Sequence, residues 1–205
     1  MKILVTAGPT REKIDPVRYI SNNSSGRMGY AIVQAALDSG HEVTLISGPV
    51  NLMPPDKAKL IKVISAAEMA QAVRENAPSA DVVIMCAAVA DYRPAHPWES
   101  KLKKMPGKLV LELERTEDIL GSLGKNKLPG QILVGFAAET DDLEENALGK
   151  LERKNLDWIA ANLVSDGFGT VTNRITLYSR CGKKLPLPCG DKLSVAQAML
   201  KEILP

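Results

Sequence analysis

The architecture of the chain can be inferred from one run near its start, ILVTAGPTR at residues 3–11. Its first residues, Ile3 to Val5, are apolar and predict a buried strand, and Gly8-Pro9 predicts the turn that ends it. A strand that leads through a glycine-containing loop into a helix is typical of open parallel sheets, where ligands lie outside the carboxyl ends of the strands. The polar insertion at 8–25 is therefore expected to build a binding site of its own.

This insertion ends in the run RYISNNSSGRMG at residues 18–29, which is rich in hydroxyl and amide side chains. An apolar helical pattern begins there, and the free N–H groups and positive dipole end of a helix attract phosphate. Ser24, Ser25 and Gly26 can add donors, while Gly26 and Gly29 would let a ligand approach the backbone. The alternative is an ordinary helix with Ser25 as its N-cap, since serine is a common cap.

Strands and helices alternate through the rest of the first half, which predicts an α/β fold with a doubly wound, mostly parallel sheet of the Rossmann-like kind. The patterns predict strands at 41–47, 59–64 and 82–87 and helices at 26–40 and 65–76, the latter starting with a capping box.

The second half resumes the sheet after a long polar segment, residues 88–106, which contains three prolines and several lysines. We call this segment the flap, because long loops inside compact domains are usually functional. Beyond it, the patterns predict strands at 108–113, 132–137 and 158–162, a short helix at 118–123 capped by Thr116, a helix at 143–154, a hairpin extension at 174–187 and a closing amphipathic helix at 195–203.

The composition predicts one ordinary globular domain over residues 1–205, with 45% hydrophobic and 24% charged residues. A formal net charge of +2 gives no electrostatic argument for binding nucleic acid or a membrane. Cys86, Cys181 and Cys189 form no C-x-x-C pair, so we expect reduced thiols in a cytoplasmic setting instead of a disulfide framework or a zinc site. Neither a targeting sequence nor a transmembrane segment is predicted.

Common nucleotide-binding signatures are missing from the expected places. A Rossmann dehydrogenase needs Gly-x-Gly-x-x-Gly after its first strand and an acidic residue at the end of its second, and the chain has neither. No tyrosine is followed four positions later by lysine, as in short-chain reductases, and no Walker A loop is present. Phosphate must therefore be bound in another way.

Two runs at predicted strand ends carry candidate ligand-binding residues. In CAAVADYRP at 86–94, small side chains leave room for a ligand before Asp91, although Asp91 in another interpretation only caps the loop. In GFAAET at 135–140, the ring of Phe136 can stack on a base or can simply fill the core.

Lysines mark two further candidate positions. Lys101, Lys103 and Lys104 lie on the flap, where the alternative is a solvated basic loop. Lys150 and Lys154 lie one helical turn apart and repel each other, so they either share a polyanion or are simply exposed to water.

Taken together, five ordered motifs resemble the bacterial phosphopantothenate-cysteine ligase of coenzyme A biosynthesis. The motifs are at residues 20–29, 87–93, 101–104, 135–140 and 150–157, so that the resemblance spans nearly the whole chain. It implies an enzyme that joins 4'-phosphopantothenate to L-cysteine with CTP and magnesium. The reaction proceeds through an acyl-cytidylate, and CTP is cleaved to CMP and pyrophosphate.

The resemblance also implies roles for individual residues. Lys101 matches the lysine that activates the carboxylate, Asn22 the amide that steadies the oxyanion when the amine attacks, and Arg18 is a plausible anion contact. Thr116-Glu117 differs from the Asn-Pro that is typical at this position. Magnesium should bind through phosphate oxygens and not through a set of protein ligands. The implied CTP site comprises Ser24, Gly26, Gly29, Asp91, Thr116, Glu117, Asp118, Ile119, Phe136, Lys150 and Lys154, and the implied substrate site Asn22, Ala87, Ala88 and Asp91.

Members of this family are dimeric and often occur fused behind a flavin-dependent phosphopantothenoylcysteine decarboxylase. The chain is then either a stand-alone ligase or one half of such a fusion, and the hairpin at 174–187 is a candidate for pairing across a two-fold axis. Two other functions stay open: a pyridine-nucleotide reductase of the doubly wound class and a nucleotide-binding regulator without turnover.

Overall fold

A computed structural model describes residues 1–104, 106–167 and 172–205. Within these residues the strands are β1 (Lys2–Ala7), β2 (Arg11–Lys13), β3 (Tyr19–Ser21), β4 (Glu42–Ser47), β5 (Lys59–Lys62), β6 (Val82–Met85), β7 (Tyr92–Pro94), β8 (Leu113–Arg115), β9 (Ile132–Glu139), β10 (Trp158–Leu163), β11 (Thr172–Asn173), β12 (Thr176–Ser179), β13 (Lys184–Pro186) and β14 (Gly190–Asp191). The helices are α1 (Arg27–Asp38), α2 (Ala66–Asn76), α3 (Ile119–Lys125), α4 (Leu143–Arg153), the single turn α5 (Val164–Gly167) and α6 (Lys192–Ile203), and Ala77–Ser79 forms a 3-10 turn.

The centre of the fold is an eight-stranded sheet in the order β13-β12-β10-β9-β6-β1-β4-β5. The six strands from β5 to β10 in this order are parallel, and β12 and β13 continue the sheet as an antiparallel hairpin. This confirms the predicted α/β class with a mostly parallel sheet and a hairpin extension. Three short ribbons, β2–β3, β7–β8 and β11–β14, lie outside this sheet.

Two helical layers cover the sheet, and the alternation of side chains along β1 assigns each residue to one of them. Ile3 and Val5 pack in the cluster that contains α1 and α6, whereas Leu4 packs in the cluster that contains α2 and α4. All three are at most 1% exposed. The apolar run is therefore a strand buried on both faces, as central parallel strands usually are.

Helix α1 lies against β1 because Gly29 has no side chain. A Cβ built on Gly29 would lie 2.5 Å from the Cβ of Ala7, so the close packing of helix on strand requires glycine there. Gly26 precedes the helix with φ at +76°, in the left-handed region that favours glycine. The two glycines thus serve the packing of helix on strand and the turn into the helix, and the approach of a ligand to their backbone stays a prediction.

Several local predictions were wrong. Gly26, and not Ser25, is the N-cap of α1, and it makes no side-chain capping bond. Asp118, and not Thr116, caps α3, because its carboxylate accepts the N–H of Gly121. The strand predicted at 108–113 does not form over 108–112: β8 begins only at Leu113 and pairs with β7 in a two-stranded ribbon that follows the start of the flap.

The closing helix begins earlier than its apolar pattern suggested, at Lys192, where the Asp191 carboxylate accepts the N–H groups of Leu193 and Ser194. None of the described helices combines the length and apolar character that crossing a bilayer requires.

Candidate functional site

Two adjacent cavities lie at the carboxyl ends of the central strands, where the parallel sheet predicted a site. The first, which we call the α1 cavity, has a volume of about 140 Å³ and lies at the amino end of α1. The second, which we call the α4 cavity, has a volume of about 130 Å³ and lies beside α4 and the start of α3. Ala87 and Phe136 line both cavities, so that they form a shared wall between the two.

The α1 cavity brings together residues from both halves of the sequence. Backbone and side chains of 23–29 form one side, and residues that follow β6, β9 and β10 form the others. Of the predicted site residues, this cavity contains Ser24, Gly26, Gly29, Ala87, Ala88 and Phe136.

The amino end of α1 is well suited to an anion. No side chain caps the helix, and its first turn contains no acidic residue. Ser24 Oγ accepts the N–H of Gly26 at 3.3 Å and so fixes the turn that leads into the helix. Because the first N–H groups of a helix have no partner within it, they can donate to a bound phosphate.

The α4 cavity collects the remaining residues that the resemblance assigned to the nucleotide. They come from the flap, from the segment before α3, and from β9 and α4, and they are Asp91, Thr116, Glu117, Asp118, Ile119, Phe136, Lys150 and Lys154. Thr116 joins two of these segments, since its N–H donates to Asp91 O at 2.9 Å and its Oγ1 donates to Ala90 O at 2.6 Å.

Lys150 and Lys154 are each held by a partner in the α4 cavity. Lys150 Nζ donates to Phe136 O at 2.6 Å, and Lys154 Nζ lies 2.8 Å from Asp118 Oδ1. Burial and then the charge of Lys154 lower the pKa of Lys150, while Glu139 and Asp91 act in the opposite direction. Burial alone would raise the pKa of Asp118. The bonds from Lys154 and Gly121 outweigh burial and hold this pKa below its usual value.

The acidic groups at this site are mostly engaged. Glu117 accepts two hydrogen bonds from Arg74 Nη1, at 2.9 and 2.6 Å, and Asp118 is paired with Lys154. Over the part of the chain that the structure describes, no three His, Cys, Asp or Glu side chains gather as metal ligands would. Magnesium would fit this site bound mainly through phosphate oxygens, and Asp91 is the acidic lining residue that has no side-chain ion pair in the described structure.

Asn22, Arg18 and Lys101 line neither cavity: Arg18 and Asn22 flank strand β3 of the β2–β3 ribbon, and Lys101 lies on the flap. Asn22 Nδ2 donates to Ala88 O at 3.1 Å, which links it to a cavity-lining residue. Arg18 Nη2 donates to Leu102 O at 2.8 Å, next to Lys101. Lys101 itself is exposed.

A buried carboxylate joins the ribbon to the flap. Asp15 is 2% exposed, and its Oδ1 accepts the N–H groups of Val17 and Arg18 at 2.7 and 2.8 Å. Its Oδ2 accepts the N–H of Leu102 at 3.2 Å. Burial alone would raise the pKa of Asp15. These bonds and the Arg18 charge outweigh burial and hold this pKa below its usual value. The segments that carry Arg18, Asn22 and Lys101 are therefore connected to one another.

Sequence reasoning missed two charged residues of the α1 cavity, Arg27 and Lys192. Lys192 is 8% exposed, and it lies in register with the apolar face of α6 that includes Val195, Ala196 and Met199. A lysine at a helical position reserved for apolar side chains is unusual, because lysine is rarely buried in full. That break in the amphipathic pattern is the signal by which the sequence shows it.

Cys86 lies on the same cavity, at the end of β6. Burial raises the pKa of its thiol to about 12, opposed by the charge of Lys192. The thiol is therefore neutral at physiological pH and is an unreactive part of the cavity wall. Asn162 and Asn173, both buried, complete the polar lining beside it.

Comparison with known proteins shows the family of the chain. The family described as the DNA/pantothenate metabolism flavoprotein C-terminal domain matches residues 1–205. The coenzyme A biosynthesis bifunctional protein CoaBC of Bacillus subtilis (strain 168) is 50% identical over 205 residues, which cover 98% of this chain and 50% of that protein. The Escherichia coli (strain K12) protein of the same name is 44% identical over 210 residues, covering 100% of this chain and 52% of that protein.

The fold gives the same match. A crystal structure of the C-terminal domain of the bifunctional protein CoaBC superposes with a TM-score of 0.85 at 47% identity, covering 98% of this chain and 93% of that one. The chain spans about half the length of the curated relatives it matches.

Proposed function

The chain belongs to the family of the DNA/pantothenate metabolism flavoprotein C-terminal domain, and from that membership we propose that it is a ligase of coenzyme A biosynthesis. It joins 4'-phosphopantothenate to L-cysteine through an acyl-cytidylate, with CTP cleaved to CMP and pyrophosphate. The names of its relatives, which are coenzyme A biosynthesis bifunctional proteins, support the pathway.

The observation that carries this proposal is the pair of cavities that meet at Ala87 and Phe136. One has an uncapped helix terminus for phosphate, and the other has an aromatic ring and two lysines beside a row of polar groups. A nucleoside triphosphate needs both environments side by side, whereas a small neutral ligand would need neither. CTP with its base in the α4 cavity would extend its phosphates along the shared wall toward α1.

In the first step, the carboxylate of 4'-phosphopantothenate attacks the α-phosphate of CTP. Negative charge spreads over the phosphoryl oxygens in the transition state, so a cation held nearby lowers the barrier. Lys101 is the group proposed for this role, and the bond from Arg18 to Leu102 O ties the neighbouring backbone to the β2–β3 ribbon, which leads to Asn22. Magnesium, when bound to the phosphates, supplies further neutralisation of the same charge.

In the second step, the amine of cysteine attacks the acyl carbon of the acyl-cytidylate, negative charge develops on the acyl oxygen, and CMP and a proton leave as the amide forms. An amide nitrogen has two N–H donors. The bond from Asn22 Nδ2 to Ala88 O therefore orients the side chain and leaves a second donor for the oxyanion. Because a neutral amide adds no charge, it stabilises the oxyanion without protonating the attacking amine.

The test is an assay of sustained pyrophosphate release with CTP, magnesium, 4'-phosphopantothenate and cysteine. We expect turnover only when every substrate is present, and omission of each in turn is the control. Release that persists without cysteine or without phosphopantothenate would contradict the proposal, as would no release at all. A nicotinamide-dependent reductase or a regulator without turnover would give the latter result.

Two partners belong to the same proposal. The fused architecture of the bifunctional relatives supports a flavin-dependent decarboxylase that acts on the product, either in the same polypeptide or as a separate protein. A homodimer is the proposed assembly, and its test is given in the Discussion. The proposed location is the cytoplasm, because the free cysteines Cys86, Cys181 and Cys189 fit a reducing compartment.

A further inference from the structure

Glu117 connects the wall of the α4 cavity to helix α2. Both of its carboxylate oxygens accept hydrogen bonds from Arg74 Nη1, at 2.9 and 2.6 Å. Arg74 belongs to the last turn of α2 and is not among the described lining residues of the α4 cavity, whereas Glu117 is one of them. A cation outside the cavity is therefore in direct contact with a carboxylate of its wall.

The backbone around Glu117 is held by bonds that do not involve Arg74. On one side, Thr116 donates to the carbonyl oxygens of 90–91 through its N–H and its Oγ1. On the other side, Asp118 caps α3 and pairs with Lys154. The ion pair of Glu117 itself joins two partly exposed side chains, at 57% and 39%, and pairs of this kind contribute little to stability. The main effect of the Arg74 side chain on the cavity is therefore its charge.

Among the described lining residues of the α4 cavity, carboxylates outnumber ammonium groups. The charged ones are Asp91, Glu117, Asp118, Lys150 and Lys154. A carboxylate facing such a cavity without a cation beside it would repel the phosphates of a nucleotide. The Arg74 guanidinium, which stays protonated at every physiological pH, lies 2.6 Å from Glu117 Oε2 and offsets this charge from behind the wall.

We propose that Arg74 promotes nucleotide binding in the α4 cavity by neutralising the charge of Glu117. That the ligand is a nucleotide rests on the proposed function. Arg74 acts through Glu117 and does not touch the ligand, so it is a positioning residue, in contrast to the lysines that line the cavity. Because the pair is partly exposed, its effect is moderate and depends on ionic strength.

Calorimetric titration with CTP and magnesium tests this in wild type, Arg74→Gln, Glu117→Gln and the double variant. At low ionic strength, we expect Arg74→Gln to weaken CTP binding by about twofold to fivefold, the range of an exposed ion pair. Arg74→Lys, which keeps the charge, should retain most of the affinity. Glu117→Gln should bind CTP at least as tightly as wild type. The double variant should return to nearly the wild-type affinity, because no unbalanced carboxylate is left.

The double variant separates a charge effect from a structural one. If Arg74 only supported the wall, the double variant would bind CTP as weakly as Arg74→Gln, and that result would overturn the proposal. The affinity ratio of wild type to Arg74→Gln should approach one at about 1 M salt, where charges are screened within about 3 Å. A ratio that does not change with salt would also contradict it.

Lys184→Gln is the matched control. Lys184 forms a partly exposed ion pair with Glu144, and neither residue lines the α4 cavity. This variant should bind CTP with the affinity of wild type at every salt concentration. An equal loss in Lys184→Gln and Arg74→Gln would show that the effect belongs to the net charge of the protein, and would overturn the proposal.

The assay of pyrophosphate release distinguishes this inference from the proposed function. Equal CTP affinity in wild type and Arg74→Gln, together with turnover that needs every substrate, would overturn the inference and leave the ligase intact. The expected pattern of CTP binding without turnover would refute the ligase and leave the role of Arg74 intact.

Discussion

Lys150 and Lys154 show what spacing along a helix predicts and what it leaves out. Their separation of four residues correctly put both charges on one face of α4. The alternative that both are simply exposed to water is wrong, since Lys150 donates to Phe136 O and Lys154 pairs with Asp118. These partners lie 14 and 36 residues away in the chain, on other elements, so no local pattern could have identified them.

Two single substitutions should separate the two proposed chemical steps. Asn22→Asp is expected to consume CTP but accumulate the acyl-cytidylate, because a carboxylate repels the oxyanion of the second step. Lys101→Gln is expected to form no acyl-cytidylate, because the charge that stabilises the first transition state is lost. Quenched reactions with labelled CTP, separated by chromatography, measure the intermediate in each variant.

Lys103→Gln is the matched control, since Lys103 is a second exposed lysine of the same flap. It should form and use the intermediate at nearly the wild-type rate. If Asn22→Asp and Lys101→Gln stalled at the same step, the assignment of the two residues to different steps would be wrong.

The three cysteines should differ in reactivity. Cys181 and Cys189 are exposed, whereas burial raises the pKa of Cys86 to about 12. Because the thiolate is the reactive form, iodoacetamide at mildly alkaline pH should label Cys181 and Cys189 and spare Cys86 in the folded protein. Peptide mass spectrometry measures the labelling, and the protein unfolded in urea, which should label at all three positions, is the control. Rapid labelling of Cys86 in the folded state would contradict the burial of its thiol.

Among the elements, those with a long apolar pattern were predictable and the short polar ones were not. The strands of the sheet and the helices α1, α2, α4 and α6 follow apolar periodicity, and their positions agree with the prediction to within a few residues. The ribbons β2–β3 and β7–β8 are made of three-residue strands that are largely exposed, so they carry no periodic signal. The cap of α3 was misassigned because Thr116 and Asp118 are both acceptable caps. Only the fold shows that Thr116 makes its hydrogen bonds to other residues.

The packing of α1 on β1 gives a prediction for stability. In Gly29→Ala the new Cβ would lie 2.5 Å from the Cβ of Ala7 and 3.1 Å from its Cα, neither of which can move easily. We expect the free energy of unfolding to fall by about 1–3 kcal/mol, as for other overpacked sites. Urea titration followed by circular dichroism measures it.

Gly149→Ala is the matched control in helix α4. Its Cβ would meet only the flexible end of Arg153, with Nη1 at 2.7 Å, so the guanidinium can move aside. Alanine favours a helix over glycine by about 1 kcal/mol, and this variant should therefore be as stable as wild type or more so. A Gly29→Ala variant as stable as Gly149→Ala would show that the helix can shift away from the strand at no cost.

At the scale of the whole molecule, the sequence predicted correctly which loops lie together. Parallel strands place their carboxyl ends at one edge, and that rule correctly gathered the loops after β1, β6 and β9 around two cavities. The spatial order of strands, with β1 between β6 and β4, depends on long-range packing that periodicity does not encode. The position of Lys192 depends on the same packing, because α6 docks beside α1 from the far end of the chain.

The proposed homodimer has one specific constraint from the sheet. Both edges of β12 are occupied, by β10 and β13, so only β13 presents a free edge within the hairpin. That strand contains Pro186, which has no N–H to donate, and extension of the sheet is limited to its first residues. We expect sedimentation equilibrium to give a dimer mass over a range of concentrations. A monomer throughout would refute the assembly, and the assay of pyrophosphate release would still test the activity.

The bonds of Asp15 have a consequence for the order of the flap. Because this one carboxylate accepts the N–H groups of Val17, Arg18 and Leu102, it ties the backbone next to Lys101 to the β2–β3 ribbon. Loss of the carboxylate would leave three N–H groups without their acceptor. The placement of the proposed activating lysine therefore depends on a buried residue that lines neither cavity.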